Sequence, residues 1–285
     1  MSIISGKVIM VVLDGLRYDT ARTQMGYMNH MVEAGKAACC RVWSELPSLS
    51  RPLYEVLLTG TPSSVNGITS NQTVRLSTQT SVFHLAREQG LRTAAAAYYW
   101  VSELYNRAPF DPIEDREQHD ESRAIQHGKF YYDDSYPDSH LFADAELLRR
   151  RENPDFLYIH PMGIDDAGHR YGADSKEYRG KAIMADALLA NLAPGWLELG
   201  YRVIVTSDHG MNADGQHGGT GVEEREVPLY IMGTAGVKPG YYEERVPQLA
   251  VAPLACRLLG LQPSAAMAAL RFPGVAYDEE SEGDA

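Results

Sequence analysis

The chain alternates between short, continuously apolar runs and longer segments in which apolar residues return every three or four positions. Residues 7–14 form the first run. A run without polar interruptions reads as a strand covered on both faces, because a half-exposed strand would alternate. From 18 to 34 the period becomes helical, with Met25, Met28 and Val32 on one face and Gly35 as the stop. A second strand is expected over 39–44. A helix follows from Pro52 to Gly60, since Pro suits the first helical position and Gly the end. Residues 67–72 read as loop, 80–89 as a helix ended by Gly90, and 92–98 as a small apolar strand. Further on, helices are expected over 138–151, 178–192 and 247–259, and strands over 156–160, 203–207 and 228–232. This alternation predicts one doubly wound α/β domain spanning 1–277, its sheet mostly parallel with helices on both faces. No repeat or linker divides it.

Between 100 and 137 the periodicity is lost and Asp, Glu, His and Tyr crowd the segment. An irregular insertion of that length is a lid, a binding loop or a mobile excursion; a lid over the site is the reading adopted. Residues 278–285 are acidic and are expected to be a disordered tail. The formal net charge of -12, without a basic stripe, argues against binding to a nucleic-acid polymer. Cys39, Cys40 and Cys256 form neither a disulfide framework nor a paired metal motif, and are expected to be reduced core thiols. No secretory pattern opens the chain, and no window of about 18 apolar residues exists to span a membrane. The expectation is a cytoplasmic protein.

The chemistry sits where the predicted strands end. The first delivers Asp14-Gly15, the strand over 203–207 delivers Asp208-His209-Gly210, and 156–160 runs toward Asp165 and His169. In open α/β sheets ligands bind outside the carboxyl ends of strands, so these groups are expected to converge. Asp165 and His169 are four apart, so one helical turn would put them on a common face. Ser50 stands at the mouth of the helix that Pro52 begins. Alone it would read as a cap; beside carboxylates and imidazoles it reads as a nucleophile. Asp14, Ser50, Asp165, His169, Asp208, His209 and His217 are the donor types that Zn²⁺ takes, with Mn²⁺ as second choice. Seven ligands suffice for two ions, and two ions about 3.5–4 Å apart can clamp the attacking and leaving oxygens of a displacement at phosphorus.

Five ordered signatures carry a resemblance: Leu13-Asp14-Gly15-Leu16-Arg17; Pro47-Ser48-Leu49-Ser50-Arg51-Pro52 running to Gly60; Asp165 to Gly172; Ser207-Asp208-His209-Gly210-Met211; and His217-Gly218. Each is weak by itself. Together they resemble the alkaline phosphatase superfamily, in its nucleotide pyrophosphatase/phosphodiesterase branch. The resemblance implies one metal held by Asp165, His169 and His217, and a second by Asp14, Asp208, His209 and Ser50. It implies a two-metal hydrolase of phosphodiester or pyrophosphate bonds, acting through a covalent phospho-serine, on a small phosphorylated substrate such as a nucleotide. Helix N–H groups beyond Ser50 would steady the equatorial oxygens. The branch often has Thr as nucleophile, where this chain has Ser50. It also often has an Asn binding a phosphoryl oxygen; Asn71, Arg51 and Lys129 are the candidates for that place.

Other polar residues have plainer readings. Asp166 is a bystander beside Asp165, His160 a structural or supporting histidine, and Asp214 part of a turn. His84, His119, His127 and His140 read as surface or lid residues. A phosphomonoesterase or phosphonate hydrolase is the nearest alternative activity. A sulfatase is disfavoured because Tyr54 stands where that pattern has Arg, and a phosphoglycerate mutase would need a larger inserted domain. A non-catalytic binding protein would be expected to have lost some of the seven residues.

Overall fold

The computed structural model describes residues 6–233 and 236–276. Nine strands are found among them: β1 (Val8–Val12), β2 (Ala37–Trp43), β3 (Thr93–Tyr98), β4 (Glu117–His119), β5 (His127–Tyr131), β6 (Phe156–Ile159), β7 (Arg202–Thr206), β8 (Glu226–Met232) and β9 (Gly240–Pro247). They make one sheet in the order β4-β5-β3-β6-β1-β7-β8-β2-β9. The five central strands from β5 to β7 run parallel. β8 is antiparallel to both β7 and β2, β9 is parallel to β2, and β4 closes the other edge antiparallel to β5. The mostly parallel, doubly wound α/β sheet expected from the apolar runs is present.

Every residue of β1 is fully buried. Val8, Met10 and Val12 enter one hydrophobic cluster with helices Ser50–Thr59, Val82–Glu88 and Val251–Leu259; Ile9, Val11 and Leu13 enter the other with helices Gly26–Glu33, Asp138–Glu152 and Lys176–Glu198. Burial on both faces is why β1 shows no alternation. Each large side chain in these clusters contributes roughly 1.5–3 kcal/mol by leaving water. The three cysteines are free and buried in this packing. Among the described residues no helix is long and apolar enough to cross a membrane.

Three elements differ from the sequence pattern. The helix expected over 18–34 is two helices, Tyr18–Gln24 and Gly26–Glu33, broken at Met25. Asp186, reaching from the long helix, accepts from the N–H groups of Tyr27 and Met28 at 2.7 and 3.0 Å, which satisfies the new helix start from across the interface. The stretch 100–137 is more regular than its composition suggests: it holds the helix Trp100–Tyr105, β4 and β5, and it extends the sheet through pairing with β3. β9 was not expected. It lies at the sheet edge with much of its surface in water, so it carries neither an apolar run nor strict alternation. The acidic stretch 278–285 lies outside the described residues.

Register sets up the site. Val12 of β1 pairs with Thr206 of β7, so two residues further on Asp14 and Asp208 leave adjacent strand ends side by side. β6 flanks β1 on its other side and leads into the helix Gly163–Tyr171.

Candidate active site

The turn after β1 is built for close approach. Gly15 adopts φ 74°, and a Cβ there would stand 3.0 Å from the Cα and Cβ of Asp165. Glycine therefore lets the loop of β1 pack directly onto the helix that bears Asp165. The Gly15 N–H donates to Asp208 Oδ1 at 3.2 Å, and the Leu16 N–H to Ser207 Oγ at 2.9 Å, tying the ends of β1 and β7 together. Asp165 and His169 lie one turn apart on the helix Gly163–Tyr171, as their spacing predicts.

Two groups of ligating atoms result. In the first, His169 Nε2 lies 3.3 Å from Asp165 Oδ2, His217 Nε2 lies 3.8 Å from Asp165 Oδ1, and the two Nε2 atoms are 3.2 Å apart. In the second, His209 Nε2 is 3.4 Å from Asp14 Oδ1 and 3.3 Å from Asp208 Oδ2. The groups adjoin, since the rings of His209 and His217 stack with centroids 3.7 Å apart. All six carboxylate and imidazole side chains among the seven expected ligands are thus brought together.

The backbone fixes how the imidazoles present themselves. Nδ1 of His169, His209 and His217 each lies 2.8 Å from a carbonyl oxygen, of Gly215, Gly210 and Ser48 respectively. A carbonyl only accepts, so each Nδ1 carries a proton and each Nε2 is the atom left to face the carboxylates, a lone pair whenever its ring is neutral. On the acidic side, Asp14 Oδ1, Asp165 Oδ1 and Asp208 Oδ2 are buried without a hydrogen-bond donor. Three imidazole nitrogens and three unpartnered carboxylate oxygens, gathered this closely, suit divalent cations.

The electrostatics agree. Burial and the charges of Asp14 and Asp165 push Asp208 well above the usual carboxylate range. Burial and Asp14 likewise push Asp165 up. For Asp14 burial works in the same direction, but the His160 hydrogen bond and the proximity of His209 outweigh it and hold this carboxyl below its ordinary value. His169 is raised to about 9, chiefly by its hydrogen bond to Asp165, whereas burial and His209 lower His217 to about 4. Such repelling carboxylates call for positive charge between them.

Ser50 is the first residue of its helix, and Leu49 occupies the cap position without a side-chain bond. The capping reading of Ser50 therefore does not hold: its Oγ lies 3.1 Å from His209 Nε2. Asn71 stands next to it, its Oδ1 accepting the Arg51 N–H at 3.1 Å. Two expectations need correction. Helix N–H groups past Ser50 are not open to a ligand, because that of Arg51 is taken by Asn71, Pro52 has none, and that of Leu53 goes to Leu49 O. The Arg51 side chain does not face the site either. It is 1% exposed, paired with Glu103 at 2.7 Å and stacked on Trp100.

Sequence reasoning undervalued Tyr54. Its hydroxyl donates to Asp14 Oδ2 at 2.5 Å, and His160 Nε2 approaches the same oxygen at 2.9 Å. Together they occupy Oδ2 and leave Oδ1 turned to His209. The signal available was helical spacing, which puts Tyr54 one turn beyond Ser50 on the same face. Asp166 bonds Arg170, Lys129 bonds Glu117, His84 caps its own helix with Ser81, and His140 and Asp214 are exposed, so none joins the site.

Comparison with known proteins gives a consistent picture. The family model "Type I phosphodiesterase / nucleotide pyrophosphatase" matches residues 8–217. The human GPI ethanolamine phosphate transferase 2 catalytic subunit is 25% identical over 284 residues, covering 94% of this chain and 28% of that protein. The human GPI ethanolamine phosphate transferase 3 catalytic subunit is 32% identical over 110 residues, 38% of this chain and 10% of that protein. The chain thus spans little more than a quarter of the length of these curated relatives at most. Among solved structures, murine ectonucleotide pyrophosphatase/phosphodiesterase 5, in an inactive form in complex with AMP, superposes with a TM-score of 0.70 at 15% identity, covering 91% of this chain and 96% of that one. The phosphonate monoester hydrolase of Silicibacter pomeroyi superposes with a TM-score of 0.65 at 13% identity, covering 91% and 74%. With a fold of the same kind and a family match that runs from β1 through His217, the chain belongs to the type I phosphodiesterase/nucleotide pyrophosphatase family.

Proposed function

We propose that this protein is a two-metal phosphodiesterase that cleaves a phosphodiester or pyrophosphate bond through a covalent phospho-serine at Ser50. The observation that carries the reading is the position of Ser50 Oγ, 3.1 Å from His209 Nε2, against clusters whose carboxylate oxygens lack donors. Asp165, His169 and His217 would hold one divalent ion, and Asp14, Asp208, His209 and Ser50 the other. Bound there, zinc or a similar ion supplies Lewis acidity that lowers the Ser50 hydroxyl pKa and offsets phosphoryl charge.

The rest falls to the chain. Ser50 attacks phosphorus; the Ser50 O–P bond forms, the P–O bond to the leaving group breaks, and the serine proton ends on the departing oxygen. Attack by water then releases the product and returns a proton to Ser50. Tyr54 and His160 hold Asp14 so that one oxygen is kept for the cation. Asn71, fixed at the helix mouth by the Arg51 N–H, offers its amide NH₂ to a non-bridging phosphoryl oxygen. His169, whose side chain is 42% exposed, marks the open side from which a small substrate such as a nucleotide enters. The AMP complex of the murine neighbour supports a ligand of that size.

A second reading changes only the acceptor. The relative that aligns over 94% of this chain is named an ethanolamine phosphate transferase. An alcohol in place of water in the second step makes the same site a transferase.

One experiment tests the core of the proposal. Metal-reconstituted protein is assayed on bis-p-nitrophenyl phosphate and on p-nitrophenyl phosphate, with and without an added primary alcohol, next to Ser50→Ala. The diester is expected to turn over faster than the monoester. Ser50→Ala is expected to keep its metal and lose on the order of 10³-fold or more in kcat. Near-wild-type turnover in that variant would remove Ser50 as nucleophile. Phosphoryl transfer to the alcohol in preference to water would select the transferase.

A further inference from the structure

A third set of ligating side chains stands at the far end of the sheet, where the proposed mechanism has no use for it. His127 opens β5, opposite Ala94 near the start of β3, whereas the candidate active site lies beyond the carboxyl ends of the parallel strands. His119 ends β4 and pairs with His127 across the antiparallel ribbon, so both imidazoles project from the same face. Glu152, the last residue of the helix Asp138–Glu152, reaches the same point.

The distances resemble those of a metal site more than those of a hydrogen-bonded cluster. The two Nδ1 atoms are 3.2 Å apart. Glu152 Oε1 is 3.7 Å from His119 Nδ1, and Oε2 is 3.6 Å from His127 Nδ1. A tetrahedral ion with bonds of about 2.0–2.1 Å spaces its donors about 3.3 Å apart. One proton shared between the rings would explain one of the three separations. It leaves the carboxylate beyond hydrogen-bond reach of both rings. These three edges match those of the Asp165, His169 and His217 cluster, which run from 3.2 to 3.8 Å.

We propose that His119, His127 and Glu152 hold a third divalent ion, zinc by preference, in a structural role. Two imidazole nitrogens and a carboxylate are a donor set that zinc takes readily. His127 is buried while His119 is exposed, so the solvent side leaves a fourth position for water. The ion would cross-link the three-residue outer strand β4, the first residue of β5 and the end of a helix. Without it, β4 has β5 as its one strand neighbour among the described residues, and Gln118 ties it to Asn106 and Ser102.

The test uses the full chain stripped with chelator, Zn²⁺ alone as the probe, metal analysis after gel filtration, and thermal scans with and without zinc. His119→Ala is expected to bind one equivalent less than wild type and to show a smaller zinc-induced rise in Tm. Because His119 is exposed on an edge strand, this variant is expected to fold; Glu152→Gln provides a second and should show the same loss. The readout is the difference between wild type and variant, so it stands whether or not the active-site clusters bind two ions. Equal zinc content in wild type and both variants would overturn the proposal.

Discussion

Ser50 and Arg51 are neighbours in the chain, and their surroundings could hardly differ more. Around Arg51, charge meets charge: the guanidinium pairs with Glu103 at 2.7 Å, its other amino group donates to Thr73 O at 3.2 Å, and Trp100 covers its face. Glu103 in turn accepts the Phe110 N–H at 2.9 Å. Around Ser50, Asp14, Asp165 and Asp208 each keep an oxygen without a donor, and burial with mutual repulsion lifts two of the three. Both regions bury ionisable groups next to the same helix. The difference teaches that a buried charge matched within the protein belongs to its architecture, whereas buried like charges left unmatched belong to something that binds.

The largest stability effect should come from breaking the matched pair. Glu103→Ala strands a buried guanidinium and should cost about 3–5 kcal/mol in urea unfolding. A loss under about 1 kcal/mol would mean that the pair is not structural, and the contrast with Ser50 would fail. The unmatched side should respond with the opposite sign. In chelator-stripped protein, Asp208→Asn removes one of the repelling carboxylates and should raise stability by about 1–2 kcal/mol, while metal content falls. Destabilisation of the metal-free variant would contradict the repulsion argument.

The smallest effect should come from an ion cluster near the surface, where Arg150 faces solvent and Glu146 and Arg149 are partly buried. Glu146 bonds Arg149 at 2.6 Å, Arg150 at 2.8 Å and the Trp196 indole at 3.1 Å. Burial opposes its charge, but these bonds win and lower the carboxyl to about 2. A depressed folded pKa gives stability that is present above the unfolded value near 4.5 and is lost as pH falls toward 2. Glu146→Gln should therefore cost up to about 1 kcal/mol at pH 7 after solvent screening, and roughly half of that or less at pH 3. Paired thermal melts at the two pH values check this; an equal cost at both would place the effect in packing and not in charge.

Much of the architecture was legible because burial on both faces writes itself into the chain as unbroken apolar runs. β1, β6 and β7 were found that way, and the residues at their carboxyl ends marked the site. The break at Met25 was not legible, since its partner Asp186 lies about 160 positions away and has no local signature. β9 was missed because an exposed edge strand obeys no burial pattern. Within the site, the ligating side chains were readable from their types and places. The hidden part was backbone: nothing in a sequence states that three Nδ1 protons will be met by carbonyls of Gly215, Gly210 and Ser48. His119, His127 and Glu152 were unreadable for the same reason, being joined only by strand pairing and a helix end.

Ser48 has a mechanical consequence. Its carbonyl holds His217, while its hydroxyl donates to Gly219 O at 2.8 Å and accepts the Gly218 N–H at 3.0 Å. Two residues later the chain reaches Ser50. The loop that delivers His217 is therefore buttoned to the segment that delivers the nucleophile, and the two travel as one body. Any displacement of that loop would carry the nucleophile's segment with it and so preserve the spacing between attacking oxygen and the far cluster. The gap that the chemistry must bridge behaves as a fixed gauge, set by one serine that never touches the reaction.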